Sequence, residues 1–153
     1  MTTIIEYASP RHPEIRALLQ GSHDLMNRLF PAEANHYLEI DALCHPNIHF
    51  FGARVDHVYQ ACGALAIKDG YGELKSIYTS ETARGQGLAQ KLLNRLEKCA
   101  VEFGTLQVKL ETGSLLDAAH RLYQRQGYTL CGPFGSYERS KYSLYMEKHL
   151  ARE

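Results

Sequence analysis

The segment Arg84-Gly85-Gln86-Gly87-Leu88-Ala89 puts two glycines into three positions, directly between a β-branched segment ending at Thr79 and a long amphipathic stretch. A glycine near a helix start costs roughly 1 kcal/mol against alanine, so a pair of them needs an offsetting use, and close approach of a ligand to the backbone is that use. A strand, a glycine turn and a helix N-terminus together form an anion site, because the first-turn amides lack intrahelical partners and the helix dipole favours negative charge. Phosphate is the natural occupant. The Walker A pattern is absent, since Gln90 is followed by Lys91-Leu92 rather than by a lysine and a hydroxyl residue in the required place. The dinucleotide pattern fails too: Gly85-Gln86-Gly87 is followed by Leu88, Ala89 and Gln90, and the unit lies mid-chain behind a hairpin.

A third phosphate motif fits. Arg84 to Ala89 resembles the R/Q-x-x-G-x-G/A signature of the GNAT acetyltransferase superfamily, and Ala119 to Tyr128 (AHRLYQRQGY) resembles its A-x-x-L-Y-x-x-x-G-F/Y segment. Order and spacing agree from Glu73 to Tyr128. GELKSIYT, LETGS and the C-terminal CGPFGSY narrow the likeness to an uncharacterised, small-molecule-type branch. One departure is Leu116, where many relatives carry Asn or Gln.

The resemblance implies an α/β (α+β) GNAT fold: a mixed, mostly antiparallel sheet, helices on both faces, and a central parallel strand pair splayed to admit a pantetheine arm. Acetyl-CoA is the implied cosubstrate, with its pyrophosphate on the backbone of Arg84, Gly85, Gln86, Gly87, Leu88 and Ala89 and the rest of it beside Ile77, Tyr78, Thr79 and Tyr123. The implied function is N-acetyltransfer to a primary amine of a small molecule, amino-acid-like or polar, by direct attack in a ternary complex. The rivals are a protein lysine or N-terminal acetyltransferase and a non-catalytic acyl-CoA-binding regulator.

An alkylamine near pH 7 is less than ~0.1% neutral, so the reaction needs a proton acceptor. Glu73 is the candidate base, at the offset before Gly87 that histone-type relatives use; pairing with Lys75, two residues on and on the same strand face, is the equal alternative. Tyr123 is the candidate acid for the departing thiolate, against a purely aromatic core role. Phe30, Glu33, His36, Tyr137 and Arg139 lie on segments that flank the acceptor in relatives, and Arg139 is the candidate partner for a carboxylate.

The elements that position these groups follow from periodicity. Thr2 to Tyr7 predicts a strand, Pro13 onward a helix, and Asp24 to Leu43 further helix broken at Pro31, with Leu25, Leu29, Leu38 and Leu43 in the core. Ile48–Val55 and Val58–Ile67 predict a hairpin around Asp56-His57, and Glu73–Thr79 a third strand. A helix follows whose stripe is Leu88, Leu92, Leu93, Leu96, Ala100 and Phe103. Thr105–Glu111 then predicts a strand parallel to Glu73–Thr79, followed by a helix from Leu115 to Gln126 and strands at Tyr128–Cys131 and Ser143–His149.

Composition sets the limits. One domain over residues 1–153 is expected from 44% hydrophobic and 22% charged residues. Seventeen Lys and Arg balance seventeen Asp and Glu, which argues against a nucleic-acid partner. Neither a basic leader with an apolar run nor about 18 consecutive apolar residues occurs, so a cytoplasmic protein without a membrane partner is expected, and a homodimer is left open. Cys44, Cys62, Cys99 and Cys131 are far apart and predict reduced, mostly buried thiols; with the irregularly spaced histidines they give no metal site.

Overall fold

The β-branched N-terminus forms strand β1 (Thr3–Tyr7), followed by helix α1 (Pro13–Leu29), the short helix α2 (Ile40–Leu43), and strands β2 (Ile48–Val55), β3 (Val58–Ile67) and β4 (Gly72–Thr79). Helix α3 (Leu88–Glu102), strand β5 (Gln107–Gly113), helix α4 (Asp117–Gln126) and strands β6 (Thr129–Cys131) and β7 (Ser143–His149) complete the chain. This computed structural model describes residues 2–151.

The hairpin falls where the sequence puts it. Asp56 and His57 both have positive φ, 48° and 79°, the left-handed pair that a two-residue hairpin matching the strand twist requires. The region before it differs from expectation. Helix α1 runs through Asp24 to Leu29 without a break and stops because Phe30, ahead of Pro31, is forced into an extended conformation. Only a 3₁₀ turn (Ala32–Ala34) and the four residues of α2 follow, so most of 30–39 is irregular. Leu43 is core as expected, Leu25 and Leu38 are half-buried, and Leu29 is exposed. Phe103 also leaves the predicted stripe: it caps α3 beyond the last core turn and is 53% exposed. Cys62 and Cys99 are buried, whereas Cys44 is exposed and Cys131 half-buried.

The seven strands form one sheet in the order β1-β2-β3-β4-β5-β7-β6, antiparallel except for β4 and β5. That parallel pair is short. Gly72, Glu73 and Leu74 pair with Val108, Lys109 and Leu110, and beyond them the strands part. A bulge accompanies the parting: Ala64 pairs with Lys75 and Cys62 with Tyr78, leaving Ser76 and Ile77 together opposite Gly63. Ser76 takes φ 58°, a left-handed conformation that costs a non-glycine residue roughly 1–2 kcal/mol, so packing on both sides must hold it.

Both faces are covered. Leu88, Leu92, Leu93 and Leu96 of α3 and Tyr123 of α4 share one core with Leu65, Leu74, Val108 and Leu110. Ile15, Leu18 and Leu19 of α1 share the other with Leu43, Phe50, Cys62 and Ala64. Coverage on both sides explains why β3 reads as a nearly continuous apolar run instead of alternating.

Candidate active site

The parting of β4 from β5 opens the sheet beside the N-terminus of α3. A cavity of about 720 Å³ lies there, walled by Ile77, Tyr78 and Thr79 of β4, by Arg84, Gly85, Gly87, Leu88 and Ala89, and by residues 115–119, Leu122 and Tyr123. Gln86, expected with this set, is exposed and does not line it. Gly85 and Gly87 have φ of 81° and 77°, and a Cβ at either would meet no atom within 4 Å. The backbone conformation, not crowding by the protein, is what demands glycine. Gly87 is also the N-cap of α3 and offers no side-chain hydrogen bond, so the first-turn amides stay available to a ligand. Arg84 donates from Nε to the Thr79 carbonyl at 3.3 Å, with its guanidinium 5.7 Å from the Tyr78 ring centroid. Uncapped amides, a dipole end and an anchored guanidinium are a donor set that fits a pyrophosphate.

Tyr123 closes this cavity from α4, 7% exposed and edge-to-face with Tyr128 at 6.0 Å between centroids. Burial foremost, and then the charge of Glu111, push its hydroxyl above the ordinary tyrosine range. At neutral pH it is protonated and therefore a hydrogen-bond donor.

A second cavity, about 660 Å³, lies against residues of β4 nearer its start, between the irregular 30–47 region and the loop before β7. Glu73, Lys75, His36 and Tyr137 meet in it. The Tyr137 hydroxyl donates to Glu73 Oε2 at 2.6 Å, and Lys75 Nζ reaches the same oxygen at 3.4 Å, the Tyr137 oxygen at 2.9 Å and the His36 carbonyl at 3.0 Å. Glu73 is 5% exposed, so this is a buried, hydrogen-bonded ion pair. Burial first, and Glu73 next, hold the Tyr137 hydroxyl well above its usual range, which keeps it the donor.

Of the five expected acceptor residues the fold thus brings together His36 and Tyr137. Phe30 is buried with its ring on Gly113 and 6.4 Å from that of Tyr142, Glu33 is exposed on the 3₁₀ turn, and Arg139 is exposed beside Gly132; none of the three lines either cavity. The irregular backbone of the flanking segments carries no periodicity from which side-chain direction could be read. Lys75 entered the sequence reading only as a partner for Glu73, yet it is the hub of the cluster. Glu111 was missed altogether. It is the first β5 residue beyond the paired stretch, accepts a hydrogen bond from Ser143 Oγ at 2.7 Å, and has its carboxyl raised above the ordinary range by burial.

Burial pushes the Cys62 thiol up to about 12 and raises the Cys99 thiol in the same direction, which disfavours the thiolate at both. Among the described residues no group of three or more His, Cys, Asp or Glu side chains is arranged to hold a metal ion, and no helix is long and apolar enough to cross a membrane.

A sheet parted beside an uncapped helix N-terminus, with a donor tyrosine on one side and a polar cavity on the other, defines an acyl-transfer architecture. Residues 14–128 match the model of the Acetyltransferase (GNAT) family, and the chain belongs to that family. It is 38% identical over 144 residues to an IAA acetyltransferase of Azospirillum brasilense, covering 93% of this chain and 94% of that protein. Among solved structures, a Klebsiella pneumoniae protein described as an acyl-CoA N-acyltransferase superposes with a TM-score of 0.83 at 29% identity, covering 98% and 99% of the two chains. The PaiA N-acetyltransferase of Thermoplasma acidophilum, solved in complex with coenzyme A, shares the fold with a TM-score of 0.75 at 18% identity over 97% and 99%.

Proposed function

We propose that the protein transfers an acetyl group from acetyl-CoA to a primary amine of a small molecule, by direct attack within a ternary complex. The observation that carries this reading is the parted β4–β5 pair, with the uncapped α3 amides and Tyr123 around one cavity and Glu73 and Lys75 around another on the same strand β4. Bound there, acetyl-CoA supplies a thioester, an acyl group activated towards an amine. The chain's part is to hold the pyrophosphate on the amides from Gly85 to Ala89, to seat the acceptor on the other side, and to place the Tyr123 hydroxyl as proton donor for the leaving sulfur.

A concave acceptor cavity of about 660 Å³ suits a small molecule better than a protein segment. The name of the Azospirillum relative points the same way. Lys68 and the Glu73–Lys75 pair line it, which suits a polar, amino-acid-like amine; with Arg139 standing outside, Lys68 is the cation in reach of a carboxylate. The test is a panel of amines, with and without carboxylates, incubated with acetyl-CoA and read by release of free thiol. Turnover with small amines supports the reading; turnover confined to peptides moves the acceptor to proteins; binding of acetyl-CoA without turnover on any amine leaves a regulator.

A further inference from the structure

An amine can form its bond to the acyl carbon productively only if its extra proton leaves, and the parting strands themselves carry two carboxylates, Glu73 on β4 and Glu111 on β5. Glu73 is the less free of the two. Its Oε2 already accepts from Tyr137 and from Lys75, and it is 5% exposed at the base of a filled network. Glu111 differs on each point. It lines neither cavity, but it lies one residue past Leu110, the last β5 residue to pair with β4, so it stands where the two strands begin to part, and it is half-buried. A single neutral donor, Ser143 Oγ at 2.7 Å, holds one of its oxygens, Oε2. It also lies electrostatically between the two halves of the site, because its charge acts on Tyr123 on the cofactor side and on Tyr137 on the acceptor side.

We propose that Glu111 is the proton acceptor of the reaction, directly or through one water, a role that rests on the acetyl-transfer reading above. The balance is simple. The amine nitrogen forms a bond to the acyl carbon, the carbon–sulfur bond breaks, the nitrogen's proton passes to the Glu111 carboxylate, and the Tyr123 hydroxyl donates to the departing sulfur. Glu73 then serves the acceptor side by fixing Lys75 and Tyr137 in place.

The surroundings strengthen Glu111 as a base. Burial is the largest influence and raises the Glu111 carboxyl, the Ser143 bond opposes it, and His36 and Lys75 lower it while Glu73 raises it. Tyr145, on β7, faces it as well. A carboxyl raised in this way keeps appreciable basicity where an ordinary glutamate has little.

The experiment follows kcat/KM against pH by thiol release for wild type, Glu111→Gln, Glu73→Gln and Ser143→Ala, after calorimetry has confirmed that each variant binds acetyl-CoA. In Glu111→Gln kcat should fall about 10²-fold and the acidic limb should lose the inflection of a carboxylate, keeping only the rise set by the amine's own deprotonation. That inflection should persist in Glu73→Gln. In Ser143→Ala it should move to higher pH, since loss of a donor to the carboxylate disfavours the charged form. A role for Glu111 in folding alone would lower the melting temperature and leave the limb where it was. Independently of turnover, carbon-13 NMR of the glutamate carboxyls should show one resonance, missing in Glu111→Gln, that titrates above the ordinary range. A carboxylate inflection that survives in Glu111→Gln, or one that disappears in Glu73→Gln instead, overturns the proposal and leaves acetyl transfer standing. A wild-type chain that releases no thiol with any amine overturns both.

Discussion

A phenol kept among apolar side chains ionises reluctantly, but it donates strongly to any group beside it that gains negative charge. Tyr123 is such a phenol, raised by burial and by Glu111, and in the proposed reaction a thiolate leaving from the adjacent cavity would be such a group. Tyr123→Phe keeps the ring and its edge contact with Tyr128, so folding and acetyl-CoA affinity should hold while kcat falls about 10²-fold, the usual contribution of a placed acid. Rapid-quench measurement of the transfer step checks this, and a loss below about twofold returns Tyr123 to a packing role. Tyr137 should behave differently because its hydroxyl serves a resident anion. Tyr137→Phe removes one of the two donors to Glu73 Oε2, which should cost about 1–3 kcal/mol of stability and raise the KM of the acceptor with little change in cofactor affinity. Denaturant unfolding and a two-substrate kinetic analysis separate those effects.

The elements that hold these residues were legible in unequal degree. Segments of one character, the apolar and aromatic runs of β2 and β3 and the leucine stripe of α3, emerged where the sequence put them, because those side chains are the ones the fold buries. Between Asp24 and Leu43 the helix up to Leu29 and the break at Pro31 agree with the sequence reading, but no long helix resumes, since Leu38 falls in irregular backbone and Leu43 is the last residue of the four-residue α2. The glycine turn was legible because its motif records a backbone need directly, the positive φ of Gly85 and Gly87. Lys75 and Glu111 were not legible: in the sequence they are ordinary strand residues, and neither the bulge at Ser76 nor the parting of β4 from β5 leaves a signal there. The glycine reading itself can be tested at the start of α3. With Gly87 at φ 77° and no neighbour near a new Cβ, Gly87→Val meets no clash but must bear left-handed strain of about 1–2 kcal/mol or shift the first-turn amides. We expect a folded protein, a lower melting temperature, and acetyl-CoA binding weakened by at least tenfold, about 1.4 kcal/mol. Unchanged affinity by calorimetry, in a variant that is folded, would detach the anion site from this turn.

At the scale of the whole molecule, no net formal charge at pH 7 leaves pH-dependent stability to individual groups whose proton affinity differs between folded and unfolded chains. Glu6 and Glu147 have carboxyls lowered by hydrogen bonds from Arg54 and Lys109, so the stability they contribute is present above the unfolded carboxylate pKa and is lost only in acid, as pH falls through their folded values. The histidines act sooner. His23 of α1 is 8% exposed, stacks on Tyr37 at 3.9 Å between centroids, and leaves its Nε2 buried without a partner. Burial lowers its pKa below the ordinary 6.5, and burial lowers that of His49 in the same direction. A folded pKa below the unfolded one means that the unfolded chain binds the extra proton first. The stability from a neutral His23 is therefore complete above pH 6.5 and is lost as pH falls below that value towards the folded pKa. His23→Phe tests this, because a phenyl ring can keep the stack on Tyr37 and removes both the titration and the unpartnered nitrogen. The melting temperature of the wild type should fall between pH 7 and pH 5, whereas that of His23→Phe should fall less, so that the gap between them widens in the variant's favour as the solution is acidified. Two curves that stay parallel through that range would show that protonation of His23 is not coupled to unfolding, and would place the acid sensitivity on His49 and the carboxylates.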